Sequence, residues 1–223
     1  MSTANQKDSP QRSTDHSQIQ GEIPQLLARA RAEGSDVVGE LLQKYANYLR
    51  LLAITHMDAR LRARVSPSDV VQETNCDAHR DFPKFRGNSE GEFVAWLRTI
   101  LVHNLARMIE RHVTTAKRDV RREVSLNQIG RSIERSTMRL HNFLAAREET
   151  PSSHALRRER AVILADRLAD LPEDHRQVIM LRNLEARPFS EVAKEMGRSE
   201  GAVRMLWLRA VDGLKRRMQE GEA

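Results

Sequence analysis

The side chains best suited to contact another molecule lie near the C-terminus, within about three turns of a predicted helix. They combine cationic, acidic, hydroxyl and small residues, namely Arg198, Ser199, Glu200, Gly201, Ala202, Arg204, Met205 and Arg209. Small residues let a helix approach base edges closely, and an arginine can hydrogen-bond a guanine at two atoms. Further basic residues on the same helix suit phosphates, which position a protein without specifying sequence. The pattern therefore predicts a surface that reads duplex DNA.

Residues that could perform covalent chemistry do not form a recognisable constellation. The histidines are scattered, and the sequence contains no HExxH motif, glycine-rich phosphate loop or GxSxG elbow. The single cysteine, Cys76, excludes an intramolecular disulfide and offers no metal cluster. We therefore expect a protein that is not an enzyme and that needs neither a metal nor another cofactor.

Composition indicates an all-α protein of one or two domains. The 223 residues include only 4% aromatic side chains, which argues against a large β-sandwich or barrel because strands favour aromatic and β-branched residues. The net charge is +6, and the surplus is concentrated over 113–160, where 11 lysines and arginines face 6 acidic residues. Excess positive charge favours association with polyanions such as nucleic acids.

The sequence also predicts where the protein resides. No apolar run approaches the roughly 20 residues that span a bilayer, and the N-terminus lacks the apolar core of a signal peptide. Residues 1–20 are rich in Ser, Gln and Asp, which predicts a disordered tail. The low cysteine content fits a reducing compartment. We therefore expect a cytoplasmic protein that does not insert into membranes.

The elements that must position the C-terminal cluster are typical of a helix-turn-helix. A short amphipathic helix over 190–196 is followed by Gly197, which tolerates a left-handed backbone, and by Ser199, which can cap the next helix. That helix carries a predicted buried stripe at spacings of four, three and four residues, formed by Val203, Trp207, Ala210 and Leu214. Helices predicted over 156–168 and 175–184 precede this unit, so we expect a domain over 154–223.

Another helical domain is expected over 21–112. Apolar residues recur at three-to-four spacing over 24–56, with an interruption at Gly34 and Ser35, where Ser35 is expected to cap a helix. The next helix follows Ser66, with either Pro67 in its first turn or Ser68 as its cap. It is expected to end at Pro83, which cannot continue a helix.

The loop over 84–89 and the helix after it complete this domain. Ser89 followed by Glu92 predicts a capping box at the start of a long helix. The apolar stripe of that helix includes Trp96, which we assign to the core rather than to base stacking because its spacing is helical. Beyond this helix the apolar spacing becomes irregular. Residues 113–153 are therefore expected to form a flexible linker with transient helix, whose basic surplus either contacts the DNA backbone or is simply solvated.

Two separated sets of motifs resemble bacterial sigma factors. The strings SDVVQET (68–74), AHRDF (78–82), KFRG (84–87), FVAWLR (93–98) and HNLA (103–106) resemble sigma region 2. The string LADLPEDHRQVIMLR (168–182), together with the helix-turn-helix, resembles region 4. With only a linker between them, the chain is similar to the extracytoplasmic-function (ECF, group IV) class, which lacks region 3. The string SEGAVRMLW (199–207) is similar to a subgroup abundant in planctomycete-like bacteria.

The resemblance implies a sigma factor that associates with core RNA polymerase and directs promoter recognition and transcription initiation. It implies that the cluster at 198–209 contacts the minus-thirty-five element. Contacts with the minus-ten element are implied for Arg86, Gly87, Asn88, Ser89, Arg98, Asn104, Arg107 and Arg111. Contacts with core polymerase are implied for Asp69, Gln72 and Glu73, at the clamp helices of the largest subunit, and for Val178 and Leu181, at the β-flap.

Several alternatives stay open at the level of sequence. Ala202 stands where the family usually has threonine, and Met205-Leu206 where a Ser-Arg pair is frequent, so the preferred minus-thirty-five sequence is not defined. Core packing competes with β-flap binding for Val178 and Leu181. The resemblance also admits an anti-sigma factor as a further partner. Two other functions are a stand-alone helix-turn-helix regulator that binds operator DNA, for which the region 2 motifs would have no use, and an interaction module whose basic faces only keep it soluble.

Overall fold

The computed structural model describes residues 16–113, 129–135, 138–139 and 154–220. Within these stretches all regular secondary structure is helical, which confirms the prediction of an all-α protein. The helices form two packed bodies, as the expected two-domain architecture requires. None of the described helices is both long and apolar enough to cross a lipid bilayer.

The front body contains six helices around an apolar core. They are α1 (His16–Glu33), α2 (Ser35–Gln43), α3 (Ala46–His56), α4 (Ala59–Arg62), α5 (Pro67–Asp81) and α6 (Glu90–Val113), with a 3₁₀ turn at Phe82–Lys84 before α6. Large side chains such as Tyr45, Tyr48 and Phe93 are fully buried in this core, and their burial is a major source of its stability. α5 packs along α6, so the two helices that carry most of the region 2 motifs lie side by side.

Two helix starts in the front body bear on the predictions. α2 begins at Ser35, but its N-cap residue is Gly34, at φ 88°, and no side chain caps it. The expected Ser35 cap is therefore wrong, and the Ser35 hydroxyl instead lies 3.0 Å from Nε2 of His79. At α5, Pro67 occupies the first turn, which was one of the two predicted alternatives. The cap is Ser66, whose Oγ accepts a 3.1 Å hydrogen bond from the backbone N–H of Asp69.

Part of the expected linker is a packed helix. Residues 129–135 form α7, in which Ile129 and Ile133 are buried one turn apart. The prediction of a flexible linker with transient helix is therefore corrected for 129–135 to a packed helix, because its two isoleucines give it an apolar side to bury. Residues 114–128, 136–137 and 140–153 lie outside the described part of the chain. At the N-terminus, α1 begins at His16, inside the expected tail, and residues 1–15 also lie outside that part.

The rear body contains the helix-turn-helix. Its elements are α8 (His154–Ala169), α9 (Glu173–Ile179), a π-helical turn at Met180–Leu184, α10 (Phe189–Met196) and α11 (Glu200–Glu220). The helix expected over 175–184 thus begins two residues earlier and changes to π-helical geometry in its last turn. Acidic residues in the first turn of α9, Glu173 and Asp174, suit the positive end of its dipole.

The two bodies pack against each other through α8, which contacts α3 and α6. Nδ2 of Asn47 donates a 3.0 Å hydrogen bond to Oδ1 of Asp166 across this contact. An ion pair of 3.8 Å joins Arg62 to Glu185. The front body therefore lies directly against the rear body, with polar contacts at the edge of an apolar seam that includes Leu51 and Leu168.

Candidate nucleic-acid interface

The helix-turn-helix has the local geometry that its sequence predicts. Gly197 ends α10 in the left-handed conformation, at φ 62° and ψ 33°. Ser199 then caps α11, since its Oγ accepts a 3.2 Å hydrogen bond from the backbone N–H of Ala202. Val203, Ala210 and Leu214 are fully buried, which confirms the predicted stripe.

Trp207, the fourth member of that stripe, is only partly buried. Its ring lies 5.7 Å from the ring of Phe189, and its Nε1 donates a 2.9 Å hydrogen bond to Oδ1 of Asn183. These contacts fix α11 against the start of α10 and against the π-helical turn.

The residues predicted to contact the minus-thirty-five element lie in the turn before α11 and on its exposed side. Those exposed to solvent are Arg198, Ser199, Glu200, Gly201, Ala202, Arg204, Met205 and Arg209. Arg204 pairs with Glu200 and its guanidinium lies 4.8 Å from the centre of the Phe189 ring, while Arg198 pairs with Asp174. These contacts hold both arginines in defined orientations at the N-terminal end of α11.

Leu208 also lies on this surface, and the sequence analysis did not single it out. Met205 and Leu208 are each 52% exposed, although both are large apolar side chains. The signal was present in the sequence, since Leu208 follows Met205 by three residues and avoids the spacing of the buried stripe.

The loop before α6 is tightly fixed. The carboxylate of Glu92 accepts hydrogen bonds from the backbone N–H groups of Asn88 (2.9 Å) and Ser89 (3.1 Å). These bonds, first that from Asn88 and then those from Ser89, lower the pKa of Glu92. Oγ of Ser89 accepts from the N–H of Glu92 at 3.3 Å, which confirms the predicted capping box.

Gly87 has no room for a side chain. A Cβ atom at this position would lie 2.4 Å from Cζ of Phe85 and 2.9 Å from Cβ of Glu92. From the other side, Arg31 of α1 donates to the carbonyl of Gly87 and, at 3.0 Å, to Oδ1 of Asn88. Sequence reasoning missed Arg31 because it lies 57 residues from Asn88 and only the fold brings the two together.

Aromatic rings pack beneath the loop. Trp96 lies 4.9 Å from the ring of Phe85 and 5.6 Å from that of Phe93, with Phe82 at 6.3 Å. Trp96 is partly buried and packs on the core, as predicted. The loop therefore rests on a rigid aromatic base.

Two of the polar residues on α6 with implied minus-ten contacts are buried. Arg98 is 6% exposed and pairs with Glu134 of α7, and Asn104 is fully buried. Nδ2 of Asn104 donates a 3.2 Å hydrogen bond to Oγ1 of Thr74 on α5. The expectation that Arg98 and Asn104 touch DNA is corrected here, because neither side chain is open to solvent in this arrangement.

The other two, Arg107 and Arg111, are exposed at 41% and 56% of their side chains. Arg107 donates a 2.8 Å hydrogen bond to Asp77 and lies 3.5 Å from the carboxylate of Glu73, which Arg111 approaches to 3.8 Å. Burial opposes ionisation of Asp77, but the bond from Arg107 and the charge of Arg80 outweigh it and lower the pKa of Asp77. The carboxylates of Glu73 and Asp77 on α5 thus orient the side chains of Arg107 and Arg111 on α6.

Of the five residues with implied polymerase contacts, Glu73 is half-buried beside Arg107 and Arg111, and the other four fall into two classes. Asp69 and Gln72 are exposed on α5, and Gln72 lines a groove of about 700 Å³ between α5 and the α2–α3 pair. Two hydrogen bonds with Ser66 lower the pKa of Asp69. The bond with the Ser66 side chain has the larger effect, and the bond with the Ser66 backbone has the smaller one. Val178 and Leu181 are 0% and 3% exposed. Direct contact of these two with the β-flap is therefore corrected to core packing.

Within the described stretches, no three His, Cys, Asp or Glu side chains gather where they could hold a metal ion. Cys76 is exposed on α5 beside the same groove. The arrangement thus offers two surfaces for a polyanion, one on each body, and an acidic edge beside the front one.

Comparison with known proteins defines the family. The family model for sigma-70, region 4 matches residues 167–216. The ECF RNA polymerase sigma-E factor of Salmonella typhimurium is 30% identical over 181 residues, which cover 79% of this chain and 88% of that protein. This chain belongs to the ECF sigma factor family. The ECF RNA polymerase sigma-E factor of Escherichia coli is 30% identical over 181 residues, which cover 79% of this chain and 88% of that protein. That of Haemophilus influenzae is 27% identical over 194 residues, which cover 87% of this chain and 94% of that protein.

As an ECF sigma factor, the protein works with core RNA polymerase and promoter DNA and directs transcription initiation. The aligned stretch of 181 residues is longer than either body, so the similarity extends over parts of both. In this sigma factor, the exposed side of α11 and the loop before α6 lie on different bodies.

Proposed function

We propose that the two bodies of this sigma factor divide promoter recognition between them. The domain over 21–112 binds core polymerase and the minus-ten element, and the domain over 154–223 binds the minus-thirty-five duplex, with 113–153 between them. The observation that carries this proposal is the pairing, in one ECF chain, of an exposed cationic helix-turn-helix with a fixed loop that presents Asn88 beside exposed arginines. Strand separation then uses binding energy alone, so no enzymatic chemistry is assigned to the chain.

At the minus-thirty-five element, α11 enters the major groove with its N-terminal turns against the base edges. Arg204 is the candidate for a guanine contact, because its orientation is fixed by Glu200 and Phe189. Arg198 and Arg209 lie before and after it, where they suit phosphates. Ser199, Glu200, Gly201, Ala202 and Met205 complete the contact surface.

At the minus-ten element, the loop formed by Arg86, Gly87, Asn88 and Ser89 holds a base that has left the duplex, and Arg107 and Arg111 follow the strand's phosphates. Single-stranded DNA binding combines a site for bases with cations along the backbone. We assign Arg98 and Asn104 a positioning function. Their bonds to Glu134 and Thr74 hold α6 in place under the loop.

At core polymerase, the acidic and amide groups of Asp69, Gln72 and Glu73 face the clamp helices of the largest subunit. All three lie on α5, where Asp69 and Gln72 are exposed and Glu73 is half-buried beside Arg107 and Arg111 of α6. Val178 and Leu181 support the surface that meets the β-flap from beneath. An anti-sigma factor is a further partner that would compete for these surfaces, and the proposed location is the cytoplasm. The string SEGAVRMLW supports placement in the planctomycete-like subgroup.

A pair of glycine substitutions tests the loop assignment. Gly87→Ala would push the loop away from Phe85 and Glu92, whereas Gly39→Ala, in the middle of α2, meets nothing within 4 Å and serves as the control. With core polymerase, we expect Gly87→Ala to lose transcription by at least tenfold on duplex promoters and to recover most of it on a template whose minus-ten region is already unpaired. Gly39→Ala should behave as wild type. Equal activity of Gly87→Ala and wild type on duplex promoters would contradict the assignment, as would failure of every form to bind core polymerase.

A further inference from the structure

The exposed apolar side chains of α11 are unusual in this molecule. Among the described residues, the large apolar side chains that remain exposed are Met205 and Leu208, at 52% each. Both lie on the same helix, three residues apart, where they cover the same part of its surface. Apolar side chains of this size that stay in water, side by side, indicate a contact that the free protein lacks.

The helix geometry shows where this pair faces. Gly201, Met205 and Leu208 follow a spacing of four and three residues, so they share one face of α11. The buried residues Val203, Ala210 and Leu214 occupy the opposite face. The pair therefore points away from the rear body, and it stays open while the two bodies are packed together.

Cations border this face on both sides. Arg204 lies on one side of the Met205–Leu208 pair and Arg209 on the other, and both are exposed. Next along the face, Asp212 is neutralised by an ion pair of 3.0 Å with Arg216. An apolar strip between arginines suits the floor of a DNA groove flanked by phosphates better than it suits a protein partner.

We propose that Met205 and Leu208 read the C5-methyl groups of thymines in the minus-thirty-five element, an inference that rests on the proposed minus-thirty-five contact of α11. The thymine methyl group is the apolar feature of the major groove, and apolar side chains recognise it by direct contact. Gly201 helps because it leaves the first turn of the same face without a side chain, so that α11 can lie deep in the groove.

The spacing of the two side chains defines the expected pattern. Three residues advance an α-helix by about 4.5 Å, and successive bases on a DNA strand are about 3.4 Å apart. Met205 and Leu208 therefore contact methyl groups on neighbouring base pairs. Contact with a methyl group that leaves water contributes roughly fourfold in affinity.

The experiment uses holoenzyme assembled from core RNA polymerase and the full chain. Holoenzyme first selects promoter duplexes from a library randomised over the minus-thirty-five element. Each thymine of a selected element is then replaced by deoxyuridine, which removes the methyl group and keeps the base-pairing atoms. We expect affinity to fall about fourfold at one or two adjacent positions. Selection of thymine-containing duplexes without any deoxyuridine effect would overturn the inference alone, whereas failure to select any duplex would overturn the proposed minus-thirty-five function as well.

Substitutions assign the effect to side chains. Met205→Ala and Leu208→Ala should each abolish the thymine-to-deoxyuridine difference at one position, and the double variant should abolish both. Arg209→Ala is the comparison, because loss of a phosphate contact lowers affinity for both templates equally and preserves their ratio. A double variant that keeps the difference would overturn the proposal. A double variant that keeps full duplex affinity but loses transcription would assign the pair to a protein contact, and would overturn it too.

Discussion

Four polar residues of α6 have similar sequence surroundings but different positions in the structure. Arg98 and Asn104 are buried, and their bonds go to α7 and α5. Arg107 and Arg111 keep about half of their side chains in water. Helical periodicity correctly predicted that Trp96 lies on the apolar side of α6. It could not predict the burial of Arg98, because its partner Glu134 is 36 residues away in a segment for which the sequence indicated only transient helix.

Substitution of Arg98 and substitution of Arg111 should therefore have different effects. Arg98→Ala removes a charged hydrogen bond that joins α6 to α7, and we expect a loss of about 2 kcal/mol in the free energy of unfolding. Arg111→Ala should leave unfolding nearly unchanged and weaken binding to single-stranded minus-ten DNA, more at low salt than at high salt. Urea unfolding and titration of a labelled oligonucleotide into holoenzyme at two salt concentrations measure the two effects. A loss of stability in Arg111→Ala, together with unchanged stability in Arg98→Ala, would contradict the inference from burial.

The start of α5 combines a structural task with a proposed binding task. Ser66 and Asp69 form a capping box, in which each side chain accepts a hydrogen bond from the backbone of the other. Sequence analysis found the equivalent box at Ser89 and Glu92 because serine and glutamate stand three residues apart there. The box at Ser66 was not predicted because its third helical residue is Asp69, whereas the typical capping box has glutamate or glutamine at that position. A charge reversal at Asp69 would damage the helix start as well as any polymerase contact.

Two substitutions separate these tasks. Ser66→Ala removes the cap and keeps the carboxylate, so we expect about 1 kcal/mol less stability and nearly normal binding to core polymerase. Asp69→Asn removes the charge, so we expect clearly weaker polymerase binding. Because the pKa of Asp69 is lowered in the folded protein, its stabilisation is present above the ordinary value of 3.8 and is lost as the pH falls through the lower folded value. Unfolding curves between pH 7 and pH 3 should show that loss in wild type and less of it in Asp69→Asn. Equal polymerase affinity of the two variants would remove Asp69 from the proposed contact.

How well an element could be predicted depended on whether its determinants are local. The turn at Gly197 and the cap at Ser199 depend on neighbouring residues, and both predictions are confirmed. The packing of α7 was not predicted, and only transient helix was expected there, because its apolar face contains just two isoleucines within seven residues, too few for a periodic signal. Its place in the fold depends on burial against distant elements, as does the burial of Val178 and Leu181.

The contact between the two bodies contains a partly buried carboxyl group, that of Asp166. Burial raises the pKa of Asp166 to about 6, with help from the nearby charge of Asp170, while the hydrogen bond from Asn47 and the charge of Arg167 oppose the shift. The closed arrangement therefore binds a proton more tightly than an arrangement in which Asp166 is in water. Its extra stability is fully present below the ordinary value of 3.8 and is lost as the pH rises through about 6.

We expect the free protein to become more extended as the pH rises from 3.8 to above 6, and the Asp166→Asn variant to lose this response because its amide carries no charge. Small-angle X-ray scattering across this range gives the radius of gyration. Burial lowers the pKa of His56, so that protonation of His56 destabilises the folded protein as the pH falls. This effect of pH on stability is opposite in sign to that of Asp166. The informative quantity is the difference between wild type and Asp166→Asn. The same pH response in both proteins would exclude Asp166 as its source.

The two tryptophans of the chain are distributed one to each body, Trp96 against Phe85 beneath the loop and Trp207 of α11 against Phe189. Each indole is partly buried and lies near a proposed DNA contact. Intrinsic fluorescence therefore carries a separate optical signal from each end of the molecule. When one tryptophan is replaced by phenylalanine, the fluorescence of the remaining indole reports on its own body alone. Comparison of the two single-tryptophan variants over time would show which promoter element is bound first.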